Sequence, residues 1–509
     1  MGLTADSSRP GPDPVEVQIT AGALASACEE MGAVLVRSAH SANIKERRDC
    51  SAAVFDAHGE MVMQAEHIPV HLGSMPASVA AVAGREHRPG ISWFLNDPFA
   101  GGTHLPDITV VTPAFDLAGT LIGFAANRAH HADVGGRLPG SMPADSRTLE
   151  EEGVVIAPRI LDEAAIEEVT ARMRQPEQRR ADLRAQLAPN RAGVTRLAEL
   201  AAARGTAGLA GAMDSVLDYA EARTRSHLDA IDDGVYRATD RLEAIGGDLE
   251  LKLTATVSGD HITFDFTGSS GQDEGNLNCP VSVTASACYF AVRVITDPDI
   301  PASAGAYRPI EVIVPEGTLL NAARPAAVVA GNVETSSRVA DLCLSAFGRA
   351  LGQGTMNNFT LGNDRFTYYE TLGGGQGASP GADGPSAVHV AMSNTLNTPI
   401  EALEIEFPLR ATEYSIRRES GGEGERRGGD GLVRELEALE PMDFALLTER
   451  RRHRPPGAAG GSPALSGRNL VRRAPDLDAD ELEPKSTGRL ETGDRLRIET
   501  PGGGGYGAG

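Results

Sequence analysis

Two short stretches place metal-ligand residue types where strands should end. "GGTHLPD" (101–107) sets His104 and Asp107 three residues apart, with Pro106 restricting the backbone between them, directly before the apolar run "ITVVTP". "NRAHHADVGG" (127–136) closes a second apolar run and offers His130, His131 and Asp133. A hydrolytic metal ion needs several unprotonated ligands and an open position for water or substrate. Histidine and carboxylate without thiolate suit zinc, manganese or iron. One turn supplies His104 and Asp107 together. In an extended chain adjacent side chains point to opposite faces, so only one of His130 and His131 reaches the same ion, and spacing leaves open which. His67 and His71 lie close by in sequence.

Other candidates carry less. "NIKERRDCS" (43–51) is a charged knot in which Arg47 could grip a carboxylate or phosphate, although an Arg47–Asp49 ion pair is the simpler reading. Cys50 has no local base. The one G-x-S-x-G match, Gly377 to Gly381, puts Pro380 where a nucleophile elbow needs a backbone N–H. The clusters "LGGGQGASPGADG", "SGGEGERRGGDG" and "TPGGGGYGAG" contain no phosphate-loop motif and are expected to form tight turns. Five scattered cysteines without a C-x-x-C pair suit a reducing compartment.

The elements that must position these residues follow from periodicity. Residues 1–14 read as a disordered arm. A helix follows from Val15 to about His40, with Thr20 as its cap. Two strands flank the Ala-His-Gly turn at 57–59 and lead into a histidine-rich loop containing Pro69. A second hairpin bends at Leu-Ala-Gly, 117–119. The expected organisation is an N-terminal α/β region with the metal site (15–160), a helical segment (161–232), a β-rich region (233–330) and a glycine-rich C-terminal α/β region (331–509). In the third region "LELKLTATVSGDHITFDF" alternates as a hairpin. "PVSVTASACYFAVRVIT" and "TSSRVADLCLSAFGRALG" read as helices, the latter capped by Thr335 or Ser336. The fold class is α+β, multi-domain, with hairpins and sheets flanking a central helical segment. With 509 residues, 41% of them hydrophobic, the chain can build several cores. A net charge of −23, spread along the sequence, argues against nucleic acid and anionic membranes as partners. No signal peptide or run of 18 apolar residues is present, so a cytoplasmic protein is expected.

Several blocks, "SANIKERRDCSAAVFDAHGEMV", "HIPVHLGSMPASV", "NDPFAGGTHLPDITVVTP", "RAHHADVGGRLPGSMP", "GNVETSSRV", "MSNTLNTPIEALEIEFPLR" and "SGGEGERRGGDG", run in order along the chain and resemble the hydantoinase B/oxoprolinase family. The resemblance implies the metal-dependent catalytic subunit of an ATP-dependent cyclic-amide hydrolase that opens a hydantoin or lactam ring. The related acetone and acetophenone carboxylases are the alternative, and a non-catalytic scaffold is a third. It implies Asp49, His104, Asp107 and His130 as ligands of a divalent metal (Zn, Mn or Fe), with Asp49 and Asp107 orienting water. Arg47, His71, His131, Asp133 and Gly374 become substrate-binding candidates. ATP is then held by a hydantoinase A-like ATPase partner in a hetero-oligomer, which fits the missing phosphate loop. "GQGTMNNFTLG" keeps the family's Gly-Thr-Met-Asn-Asn core but departs just before it, so a substrate pocket of its own is expected there.

Overall fold

The computed structural model describes residues 13–66 and 68–509. Most of the expected arm, residues 1–12, therefore lies outside the described residues, as does His67. Pro14 already belongs to the first helix, and Asp13 caps it. The Asp13 carboxylate accepts from the Val15 N–H at 3.0 Å and Pro14 supplies a pre-set φ, so α1 runs Pro14–Ser38. Thr20, the expected cap, is instead buried inside it. This helix is long and apolar enough to cross a bilayer. Here its Leu24, Cys28 and Met31 are buried against a sheet.

That sheet holds β1 (Cys50–Phe55), β2 (Met61–Glu66), β3 (Trp93–Leu95), β4 (Asp107–Phe115), β5 (Leu121–His130) and β6 (Arg159–Ile160), in the order β2-β1-β5-β4-β3-β6. Both expected hairpins form. Their turns are fixed by Asp56 and Asp116, whose carboxylates each accept two backbone N–H groups. Between the strands lie α2 (Ala42–Lys45) and α3 (His71–Ala83). Much of α3 was expected to be loop. Burial of Leu72, Met75, Val79 and Val82 on one face outweighs the hydrogen bond lost at Pro76.

Alternate residues of β1 face two different cores. Ala52 and Val54 pack with α1, while Ala53 and Phe55 pack with α3 and the next domain layer. After α4 (Leu149–Glu152), the expected helical segment forms as α5 (Glu163–Thr170), α6 (Pro176–Ala185), α7 (Leu187–Arg204) and α8 (Thr206–Leu228). Leu197, Met213 and Val216 from α7 and α8 complete the α1 side.

The second sheet is β7 (Gly234–Ala244), β8 (Gly247–Ser258), β9 (His261–Asp265) and β10 (Ile310–Ile313), ordered β10-β9-β8-β7. Against it pack α9 (Val281–Ile295), the short α10 (Ala304–Tyr307) and α11 (Ser336–Ala346). Neither expected cap of α11 acts as one. A wide π-turn at Gly331–Thr335 enters the helix, and the Thr335 hydroxyl donates to the Leu277 carbonyl. The Ser336 hydroxyl donates to the Asn332 carbonyl.

The C-terminal third contains β11 (Asn358–Gly362), β12 (Thr367–Glu370), α12 (Ile400–Glu406), β13 (Leu409–Arg417), β14 (Gly431–Ala438), β15 (Met442–Leu447), β16 (Arg468–Arg473), β17 (Asp478–Leu482), β18 (Lys485–Leu490) and β19 (Arg495–Glu499). They form two antiparallel sheets, β12-β11-β15-β18 and β13-β14-β19-β16-β17. The glycine clusters here are mainly not the expected tight turns. Gly375, Gly428, Gly429 and Gly503 stay out of the left-handed region. A Cβ on Gly428 would lie 1.8 Å from the Gly503 carbonyl oxygen, and one on Gly375 would lie 2.0 Å from that of Gly429. Three distant glycine segments thus meet backbone to backbone, joined by bonds such as Gly503 N–H to Gly429 O and Gly429 N–H to Gln376 O.

Candidate metal centre

Strand register builds the site. Asp107, first in β4, lies opposite His130, last in β5, and Cys50, first in β1, lies opposite Ala129. The His130 N–H donates to the Asp49 carbonyl, so Asp49 arrives beside the same corner of the sheet. His104 comes from the turn before β4. That turn needs Gly101, which has φ of 98° and sits where a Cβ would be 2.4 Å from the Ala77 carbonyl oxygen. The buried Arg128 guanidinium ties the turn to α3, donating to Ser78 and to the Gly101 carbonyl.

The side chains of His104, Asp107 and His130 are buried, and their ligand atoms all lie within 4.8 Å of one another. Asp49, His71, Asn332, Met356, Tyr369, Thr371, Ser393 and Thr395 line the same small cavity. It leaves about 20 Å³ for the centre of a water-sized sphere, room for an ion or a water. Nδ1 of His104 and Nε2 of His130 have no hydrogen-bond partner, and Nε2 of His104 lies 3.4 Å from Asp107 Oδ2. Buried polar atoms are normally satisfied, so nitrogens left open beside two carboxylates fit a cation. The Asn43 side-chain amide lies 3.2 Å from His130 Nδ1. The contact is through the amide nitrogen, which donates to Nδ1; a ligand role for Nε2 needs the proton on Nδ1, and that requires the amide turned so that its oxygen meets the ring.

Among the expected ligands, Asp49 lines the cavity but lies outside that three-residue group, and the electrostatics differ from group to group. Burial, reinforced by His104, holds the His130 imidazole well below the usual range and therefore neutral. Burial acts to raise Asp107, but His104 and His71 outweigh it and keep the carboxyl well below its ordinary value. Burial lifts Asp49 to about 6 against the opposing Arg47 charge. His71 Nε2 is 3.5 Å from Asp107 Oδ2, its Nδ1 is 2.8 Å from the Ser51 hydroxyl, and the Thr103 hydroxyl donates to Asp107 at 2.5 Å.

Four substrate candidates fall elsewhere. His131 points to the opposite face of the sheet, where Nε2 meets the Gln186 side chain at 3.0 Å. Asp133 is spent on a loop, accepting from the Gly135 and Gly140 N–H groups and pairing with Arg174. Gly374 belongs to the glycine contacts: its N–H donates to Val388 O, and a Cβ would strike the Gln353 side chain at 2.1 Å. Arg47 lies behind the cavity wall, donating to the Tyr369 carbonyl, Thr371 and Thr395, 3.8 Å from Asp49.

Some wall residues carried no signal of their own in the sequence. Tyr369 stacks on His130 with ring centroids 4.4 Å apart and lies under the Arg47 guanidinium. Asn332 sits in the π-turn with its Oδ1 unpartnered. Only the motif "GNVETSSRV" pointed near it.

The hydantoinase B/oxoprolinase family model matches residues 13–509. A 5-oxoprolinase 1 of Arabidopsis thaliana is 39% identical over 97% of this chain and 42% of its own length. The chain thus spans less than half of the curated relatives of that kind. The crystal structure of an ATP-dependent caprolactamase from Pseudomonas jessenii superposes with a TM-score of 0.92 at 27% identity, covering 98% of this chain and 92% of that one. A nucleotide-free acetone carboxylase shares the fold, with a TM-score of 0.87 at 18% identity, covering 97% of this chain and 76% of that one.

Proposed function

The chain belongs to the hydantoinase B/oxoprolinase family, and from that premise we propose that it is the metal-holding catalytic part of an ATP-dependent cyclic-amide hydrolase. The observation that carries the reading is the buried His–Asp cluster, with ring nitrogens left open, in a chain matched over 97% of its length by a protein named 5-oxoprolinase. Asp49, His104, Asp107 and His130 would hold a divalent zinc, manganese or iron ion. When bound, that ion supplies a Lewis acid that acidifies water and stabilises negative charge.

The chain's own groups do the rest. Asp107 stays ionised between His104 and His71, and Asp49 faces it across the cavity, so the two carboxylates orient the attacking water. Asn43 and Tyr369 fix the ring of His130. The Arg47 fork holds the threonine wall.

ATP is assigned to a hydantoinase A-like partner in a hetero-oligomer. In the plant relative, the length beyond this chain leaves room for such a module. The five cysteines are buried and unbridged, which supports a reducing cytoplasmic setting.

The test is co-expression with a hydantoinase A-like subunit, followed by ATP-dependent ring opening of 5-oxoproline, hydantoin and simple lactams. Arms containing acetone and bicarbonate run in parallel. Ring opening that needs ATP but not bicarbonate supports the hydrolase. ATP turnover only with ketone plus bicarbonate replaces it with a carboxylase.

A further inference from the structure

Apart from the expected metal ligands, the polar side chains in the wall of the His–Asp cavity are nearly all spent on one another or on the chain behind them. His71 meets the Ser51 hydroxyl and Asp107. The Thr371 and Thr395 hydroxyls face each other at 2.5 Å, and the Ser393 hydroxyl is 2.6 Å from His389 Nδ1. The Tyr369 hydroxyl accepts from the Asn358 amide at 2.6 Å. Among the described residues of that wall, Asn332 is the exception: it is 4% exposed, and its Oδ1 has no hydrogen-bond partner.

The backbone that carries Asn332 is held on both sides. It lies in the π-turn Gly331–Thr335, a wide geometry that recurs mostly at functional sites. Gly331 sits where a Cβ would be 1.8 Å from the Asn278 carbonyl oxygen. Glu334 accepts the Met356 N–H at 3.1 Å, and the Thr335 hydroxyl donates to the Leu277 carbonyl. The neighbours thus tie the turn to other segments, while the Asn332 amide oxygen ties to nothing. A buried acceptor in that state carries a desolvation penalty that an apolar side chain of the same shape would avoid, so it marks a place for a donor that the chain does not supply.

The cavity leaves about 20 Å³ for the centre of a water-sized sphere, so the donor that fits is a water. When the attacking water forms its O–C bond, one O–H bond breaks and that proton passes to a carboxylate of the cavity, from which it goes to the ring nitrogen as the C–N bond breaks. The other O–H persists. Its acceptor must not take the proton, and an amide oxygen, unlike a third carboxylate, is too weakly basic to do so. Resting on the hydrolase reading above, we propose that Asn332 is a catalytic residue whose Oδ1 accepts the O–H that the attacking water keeps, aiming the water's lone pair at the ring carbonyl carbon.

The experiment uses the full chain assembled with its ATPase partner and whichever of 5-oxoproline, hydantoin and pyrrolidin-2-one the wild type opens fastest. Hydroxylamine is added at a fixed concentration as a second nucleophile that attacks without this alignment, and the product is divided into ring-opened acid and hydroxamate. Asn332→Ala removes the acceptor, and Asn332→Leu removes it while keeping the branching and volume of the side chain. Both are expected to lower kcat for hydrolysis at least about tenfold with KM within about twofold, and to raise the hydroxamate share at least about fivefold. Retained metal and Tm should match the wild type, since the lost acceptor had no partner in the protein. An unchanged hydroxamate share in both variants would overturn the assignment whatever their rates, because a merely structural role slows both nucleophiles alike. Loss of retained metal in both would also overturn it, by making Asn332 a ligand. If the wild type opens none of these amides, the hydrolase reading itself fails and this assignment with it.

Discussion

The strand-end cavity and the glycine junction both begin as short, dense clusters in the sequence, yet they solve opposite problems. In the cavity, side chains from the residue before β1, from β4 and β5 and from the turn before β4 converge and leave nitrogens without partners. At the junction, side chains are excluded so that carbonyls and N–H groups of residues 375–377, 421–429 and 502–505 can touch. Unspent hydrogen-bonding capacity marks a place for a ligand; capacity spent entirely on the chain's own backbone marks scaffold.

If that contrast is right, cutting the cavity should cost chemistry and cutting the junction should cost stability. The largest effect is expected from His104→Ala. Metal retained through purification, read by elemental analysis, should disappear, and ring opening should fall at least about 100-fold while the protein stays folded. In the wild type, added metal should raise Tm, because it binds the native state only; His104→Ala should lose that response.

Gly428→Ala is the mirror experiment. With a Cβ 1.8 Å from the Gly503 carbonyl oxygen, backbone must move, and a loss of about 3 kcal/mol or more in denaturant unfolding is expected. Metal bound per folded molecule should stay unchanged. Equal loss of metal in both variants would erase the distinction between the two regions.

Asn43→Ala sharpens it from the supporting side. It removes only the partner of His130 Nδ1, so metal affinity by competition titration should fall about tenfold with little change in Tm.

The smallest effect concerns His389, whose Nδ1 lies 2.6 Å from the hydroxyl of Ser393 in the cavity wall. Its folded value is depressed to about 4 from 6.5, so the unfolded chain binds the extra proton first. Its contribution to stability is present above about pH 6.5 and is lost as pH falls toward 4. His389→Gln should flatten that part of the stability profile in urea unfolding; an unaltered slope would show that the ring is not held neutral.

How much of this was legible varies with the range of the interaction. The two N-terminal hairpins followed from alternation and turn chemistry, because Asp56 and Asp116 act within four residues. Thr20 failed as a cap because a better local device, Asp13 with Pro14, lies upstream. The loop expected around His71 became α3 because its apolar face meets α9 more than 200 residues away, with Gly73 N–H donating to Ser286. The glycine clusters suggest turns, since a sequence shows flexibility but not which carbonyl another segment will place where a Cβ would have to be.

The sequence by itself determined the donor types, the His104–Asp107 spacing, and that only one of His130 and His131 could serve, all of which follow from residue chemistry and the two-residue period of a strand. Only the tertiary structure decided which histidine faces Asp107. The β4–β5 register and Gln186, at the junction between α6 and α7, fix that choice, and both depend on the sheet closing over two cores. A neighbouring cavity lined by Pro69, Phe290, Leu351, Gln376 and His389 was likewise beyond the sequence, because those residues become neighbours only when distant segments pack.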